Sequence, residues 1–417
     1  MSEISTMPLT AADGTPLKKK LAQAMFRSRV RAVGLVLPLL GFVLASFVFP
    51  ILALMWQGVY NDTFERLMPN LTEELQIWDG VSEPTEKMYA LLVLDLKQNR
   101  VDRTIGKVAS RVNQELSGTR SLFTSTARKV EKIEPPYRES LIKIKKKWGK
   151  LGVWQAMKLT NESLTPGYYA TSLDKRYTVD QGFIERDKKR QIYTKLFIRT
   201  LCISGSVMFL CLLLGYPVAY LLATLPLKYS NLLMIMVLLP FWTSLLVRTT
   251  AWIAILQSQG VVNDFLVWLG ITPDDSRFSL IYNMTGTIIA MTHILLPFMI
   301  LPLYSVMKTI PPSYMRAARS LGATPTLAFI RVYMPQTVPG IGAGGLLVFI
   351  LAIGYYITPA LVGGQDGQLI SNMIAYHMQK SLNWSLAAAL GGILLGGVLV
   401  LYWAYDRIIG IDNMKLG

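Results

Sequence analysis

Arg248 is the single charged residue in an apolar stretch that runs from Asn231 to Gln257, and two tryptophans, Trp242 and Trp252, flank it. A guanidinium surrounded by hydrocarbon is costly, so it belongs at an interface, in a water-filled cavity or beside a partner. Aromatic faces attract cations, which makes Trp242, Trp252, Tyr355 and Tyr356 candidates, with Arg248, to contact a charged solute. The alternative for each aromatic is a lipid-facing anchor or a packing contact. Other reactive groups are sparse. Cys202 and Cys211 share one apolar segment and are too far apart on a helix to bridge, so neither a disulfide nor a metal cluster is expected. His293 reads as a hydrogen-bonded core histidine and His377 as part of an outer loop. Gly340, Gly342 and Gly344 mimic a nucleotide fingerprint but precede an apolar run without strand-helix context. No Gly-x-x-x-x-Gly-Lys-Ser/Thr stretch exists, so the chain has no usual cradle for ATP phosphates and no catalytic residue is assigned.

The elements that position these residues are membrane helices. Of 417 residues, 52% are hydrophobic and only 16% charged, a composition outside the range of ordinary soluble proteins. Windows of about 20 apolar residues mark about six spans. They run approximately Ala32 to Gln57, Thr200 to Pro226, Asn231 to Gln257, Leu280 to Met307, Pro339 to Leu361 and Leu386 to Tyr405. The fold class is therefore all-α polytopic membrane protein. Residues 1–31 form a polar, then basic tail, 32–61 the first transmembrane helix and its exit, 62–195 an inserted soluble domain, and 196–417 a core of five spans. Helical patterning in Glu86 to Leu116 and Tyr137 to Met157 makes the inserted domain mainly helical. Its basic run, Lys143, Lys145, Lys146, Lys147 and Lys150, reads as a solvated helix face.

The net charge of +16 is a statement about sidedness rather than nucleic acid. With the N-terminus inside, the cytoplasmic segments collect Lys18, Lys19, Lys20, Arg27, Arg29, Arg31, Lys228, Lys308, Arg316, Arg319, Arg331, Arg407 and Lys415. The opposite loops hold only Arg277 and Lys380, with Arg199 and Arg248 near span ends, and gather Asp264, Asp274, Asp275 and Asp366. Both termini are expected in the cytoplasm and residues 62–195 outside, in the periplasm of a bacterium with two membranes.

The cytoplasmic loop at 308–340 carries several basic residues and no acidic one. Pro311 and Pro312 stop the preceding span, Ser313 can cap a new helix, and Tyr314, Ala317, Ala318 and Leu321 share one face. Gly322 ends that helix by adopting positive φ, Thr324 and Pro325 start another, and Pro335 closes it. The expected object is a helix-turn-helix knuckle. The order Ala317-Ala318, Gly322, Val332, Pro335 resembles the EAA loop of binding-protein-dependent permeases of the ATP-binding-cassette superfamily. Leu238 to Trp252, Gly260 to Asn263, Leu295 to Met307 and Val338 to Gly345 are similar to the spermidine and putrescine permease branch of these type I importers. The long insertion is not part of that pattern.

The resemblance implies that Arg316, Ala317, Ala318, Leu321, Gly322 and Pro335 dock an ATPase, with Arg316 standing where the family usually has glutamate. It implies two ATPase copies that bind ATP and Mg, a second homologous permease, a periplasmic binding protein and surrounding membrane lipid, and no cofactor on this chain. The expected cargo is a small cationic or amine-containing solute, such as putrescine, spermidine or an amino-acid-like compound. No acidic residue lies inside an expected span, so tight selection of a cation belongs to the binding protein. An ion-gradient-driven secondary transporter is the alternative, opposed by the same lack of intramembrane carboxylates. A membrane sensor is opposed by the absence of a sizeable cytoplasmic domain after the last span.

Overall fold

The computed structural model describes residues 17–178 and 182–409, so the tail before Leu17 and the expected cytoplasmic Lys415 lie outside the described residues. The chain divides into two units, Met1–Trp56 and Gln57–Gly417. In the first, helices Leu17–Val43 and Phe49–Gln57 are joined by a π-helical turn, Leu44–Val48. Pro50 explains the turn: its ring clashes with a carbonyl one turn back and it has no N–H to donate, and widening the helix there removes the conflict. The 30 residues Ser28–Gln57 are long and apolar enough to cross a membrane and bury none of their most hydrophobic window in protein.

In the second unit, Tyr193–Thr224, Leu245–Trp268, Met284–Thr309 and Trp384–Arg407 also have spanning length and composition. Pro325–Gln336 and Val338–Gly354 form a pair bent by 59°, which brings the total to six if that pair is one span. The expected third span, Asn231 to Gln257, is not one helix. It breaks into Leu227–Leu238, a 3₁₀ turn at Leu239–Trp242, and Leu245–Leu256. Pro240 interrupts the hydrogen-bond ladder, Thr243 and Ser244 are extended, and the Ser244 hydroxyl accepts the Val247 N–H at 3.2 Å to start afresh. The fifth span is shorter than expected, because its helix stops at Gly354 and a separate helix, Ile357–Val362, follows.

Three long helices make the core of this bundle. Ile203, Val207, Cys211 and Leu222 of the first pack with Met291, Leu295, Met299 and Leu303 of Met284–Thr309 and with Val348 and Ala352 of Val338–Gly354. Close approach depends on missing side chains. A Cβ on Gly344 would lie 2.9 Å from Met299 Sδ and 3.1 Å from its carbonyl oxygen, and one on Gly215 would lie 3.3 Å from Met299 Cγ. A Cβ on Gly396, by contrast, would meet nothing within 4 Å.

Residues 62–195 are mainly helical, with one antiparallel hairpin, Lys175–Thr178 against Gly182–Glu185. The helices Glu86–Val101 and Ile105–Glu115 are separated at Arg103, which has φ 57°, and Tyr137–Ile144 is parted from Leu151–Asn161 by a 3₁₀ turn at Lys146–Gly149. The lysine run is therefore exposed but does not form one helix face, because the buried Trp148 interrupts it. Trp148 sits centrally: its indole N–H donates to Thr126 Oγ1 at 2.9 Å, and its carbonyl accepts from Tyr89 and Trp154 at 3.1 and 2.9 Å. The last part of the segment joins the permease core, since Tyr168 and Tyr193 share a cluster with Ile370, Leu386, Ala389 and Leu390. His377 lies on the helix Ile370–Gln379 rather than in a loop, buried with Nε2 2.9 Å from the Tyr193 hydroxyl and Nδ1 2.8 Å from Ser381 Oγ.

Candidate functional site

The knuckle begins at Pro312, one residue before the expected Ser313 cap. Pro311 is the N-cap and makes no side-chain cap, which is consistent with a proline in the first turn whose fixed φ already suits a helix. The helix Pro312–Ser320 ends in a double hydrogen bond: Gly322 N donates to Arg319 O at 3.0 Å and Ala323 N to Ala318 O at 3.1 Å. This C-terminal motif requires a left-handed residue at the turn, and Gly322 has φ 90°. Thr324 Oγ1 then accepts the Leu327 N–H at 3.3 Å, with Pro325 in the first turn of the next helix. Pro335 stands one residue before the end of that helix, as expected of a closing proline. It follows a π turn at Phe329–Tyr333, the same accommodation seen before Pro50, and the helix continues to Gln336.

The two knuckle helices present different surfaces. Tyr314, Ala317, Ala318, Leu321 and Leu327 line an open groove of about 540 Å³ together with Ala328, Arg331 and Val332. Leu321 stands at its edge with 90% of its surface exposed. An exposed apolar groove rimmed by small residues suits a partner surface. Arg316 is on the other side, in a cleft shared with Lys308 and Arg319. Thus Ala317, Ala318 and Leu321 come together, while Arg316 is separated from them and Pro335 lies near the end of the second helix.

Aromatic packing ties the knuckle to the spans. Phe329 meets Tyr220 edge-on with ring centres 5.3 Å apart and stacks on Tyr333 at 5.5 Å, and Tyr216 is 6.2 Å away. The Tyr216 hydroxyl is also 3.1 Å from Thr337 Oγ1. These contacts pack the knuckle directly against helix Tyr193–Thr224. The paired i,i+4 spacing of Tyr216 with Tyr220 and of Phe329 with Tyr333 is visible in sequence, but their mutual contact is not.

Within the membrane part, Trp252 donates its indole N–H to His293 Nδ1 at 3.1 Å. Arg248 lies one turn before Trp252 on the helix Leu245–Leu256. Its Nε and Nη1 are shielded from solvent and have no hydrogen-bond partner among the described residues. The structure thus places Arg248 and Trp252 one turn apart and gives His293 the hydrogen bond expected of it, with Trp252 as the partner. Trp242 is apart from them, 77% exposed, and Tyr356 lines a different recess of about 490 Å³ with Asn372, Tyr376 and Lys380.

A bundle of apolar helices of spanning length that carries a capped, solvent-exposed helix pair is the architecture of a multi-pass membrane protein. Residues 213–409 match the family of binding-protein-dependent transport system inner membrane components. The spermidine/putrescine transport system permease protein PotB of Escherichia coli (strain K12) is 36% identical over 221 residues, covering 52% of this chain and 80% of PotB. The inner membrane ABC transporter permease protein YdcU of the same strain is 34% identical over 228 residues, 52% of this chain and 71% of its own. A solved bacterial ABC transporter involved in the import of the acidic polysaccharide alginate matches at 20% identity and a TM-score of 0.40, over 58% of this chain and 88% of the other.

The chain belongs to the family of binding-protein-dependent transport system inner membrane components. It is a multi-pass, non-catalytic permease subunit of an ATP-binding-cassette importer of the inner membrane; a partner ATPase hydrolyses ATP and a binding protein delivers the solute.

Proposed function

We propose that this permease passes a small amine-bearing cation, a polyamine such as putrescine or spermidine or an amino-acid-like compound. The observation that carries the reading is the 36% identity to a spermidine/putrescine permease over 80% of that protein's length. The unpartnered Arg248 guanidinium supports the division of labour: a fixed positive charge beside the path disfavours prolonged residence of a cation, which leaves tight selection to the binding protein. Trp252 and Tyr355 offer aromatic faces for passage.

The remaining arrangement follows the family. A second, different permease completes the path, two ATPase copies hold ATP and Mg, and the groove around Ala317, Ala318 and Leu321 receives one of them. The lopsided basic residues support cytoplasmic termini and an external 62–195 segment, where that segment can help to seat the binding protein. ATP closure of the ATPase pair then pulls the knuckles and rocks the bundles between inward-open and outward-open states. Co-purification with the native partners, followed by a thermal-shift screen of the binding protein, tests the cargo. Polyamines are expected to raise its melting temperature; stabilisation by sugars or oxyanions instead of amines contradicts the assignment.

A further inference from the structure

The cleft on the inner side of the knuckle has a volume of about 840 Å³ and a composition that ATPase docking does not explain. Lys308, Arg316 and Arg319 line it, and no acidic residue does. Its apolar wall includes Met307 and Phe329, and Tyr333 contributes a side chain that is only 5% exposed, with a hydroxyl that has no hydrogen-bond partner among the described residues. Three cations around one cleft repel one another unless an anion with acceptor oxygens joins them, and a buried hydroxyl without a partner is a cost of its own.

The position of the cleft identifies the kind of anion. It opens where helices Tyr193–Thr224 and Met284–Thr309 end. The second has 26 residues, which at a rise of about 1.5 Å each gives roughly 39 Å, longer than a hydrocarbon core of about 30 Å. Its basic end therefore reaches the headgroup layer. A cluster of cations over an apolar wall at that depth matches a phosphate attached to acyl chains better than a free ion.

We propose that this cleft binds the headgroup of an anionic phospholipid of the inner leaflet, with Arg316 and Arg319 on the phosphate, Lys308 at the rim and Tyr333 donating from below. The cytoplasmic placement rests on the sidedness argued above. The replacement of the family's usual glutamate by Arg316 then has a physical role, because a carboxylate at this point would repel the lipid. The lipid would couple membrane composition to the knuckle, since Phe329 and Tyr333 belong both to the cleft and to the aromatic contacts with Tyr220.

Native mass spectrometry of the complete transporter tests this, with phosphatidylglycerol, phosphatidylcholine and glycerol 3-phosphate as probes. The wild type is expected to retain phosphatidylglycerol in preference to phosphatidylcholine. The double variant Arg316→Gln/Arg319→Gln should bind it about thirtyfold more weakly, and Arg316→Lys/Arg319→Lys should keep most of the binding. Tyr333→Phe, which preserves the ring packing, should weaken retention. Equal retention of phosphatidylcholine, or phosphatidylglycerol binding unchanged by the double glutamine variant, overturns the proposal. Competition by glycerol 3-phosphate as effective as the lipid overturns the lipid source, and a photo-crosslinker at position 319 that captures the ATPase in place of lipid assigns the cleft to protein. Sidedness is read independently by a membrane-impermeant thiol reagent on Ser313→Cys. In a Cys202→Ser background, protection from the outside is expected, and labelling from the outside overturns the inner-leaflet assignment.

Discussion

Replacing Gly322 perturbs the knuckle with little effect elsewhere, and its consequence can be worked from the backbone. The residue has φ 90°, and a Cβ built on it meets no atom within 4 Å. Gly322→Ala therefore introduces no clash. Its cost is conformational, roughly 1–2 kcal/mol for holding an L-residue left-handed. That shifts the equilibrium between the hinged knuckle and an unwound alternative by about five- to thirtyfold. Gly322→Trp carries the same strain and adds a ring to the space where a partner would approach. The spanning core is separate, so both variants should assemble in the membrane and elute as a single species. In proteoliposomes containing the complete transporter, Gly322→Ala should lower uptake per ATP hydrolysed, and Gly322→Trp should abolish uptake while leaving basal hydrolysis. Wild-type ATP-dependent uptake by the tryptophan variant would refute the docking role of this face.

Three further outcomes follow from packing and titration. Gly344→Leu forces atoms against Met299 Sδ and its carbonyl, and overpacking of this kind costs about 1–3 kcal/mol, so thermal stability in detergent should fall; Gly396→Leu, in open space, should leave it unchanged. Trp148→Ala empties the centre of the 62–195 core at a cost of about 3–5 kcal/mol, which should appear as rapid proteolysis of that segment while the spans stay protected. Burial holds the His377 imidazole below its ordinary pKa, so the folded chain keeps it neutral where the unfolded chain takes up a proton. Its stability contribution is full above about pH 6.5 and declines as the pH falls from there through the depressed folded value. Melting curves from pH 8 to 5 should therefore fall more steeply for the wild type than for His377→Asn, and equal slopes would contradict the sign.

The features legible in sequence were those with local causes. Gly322, Thr324 and Pro325 specify a turn through their own φ preferences and side-chain oxygen, and the structure has that turn. Spans long enough to exceed a bilayer announce themselves by composition, as Tyr193–Thr224 and Met284–Thr309 do. The third span was misread because an average over Asn231 to Gln257 hides Pro240 and the Ser244 cap, although both were available in the sequence. Pro335 marks the end of the second knuckle helix to within one residue, but the π turn that precedes it has no signal in the periodicity. The separation of Arg316 from Ala317 and Ala318, and the approach of Trp252 to His293, depend on which elements lie on either side of a helix. Periodicity gives the face of a helix but not its neighbour.

The most direct measurement is solute uptake by proteoliposomes that contain this permease with its companion subunits, supplied with binding protein and labelled putrescine. Uptake should require ATP inside the vesicle compartment that faces the ATPase, require the binding protein on the opposite side, and withstand an uncoupler. Uptake that persists without ATP or binding protein and collapses when the ion gradient is dissipated would contradict the account.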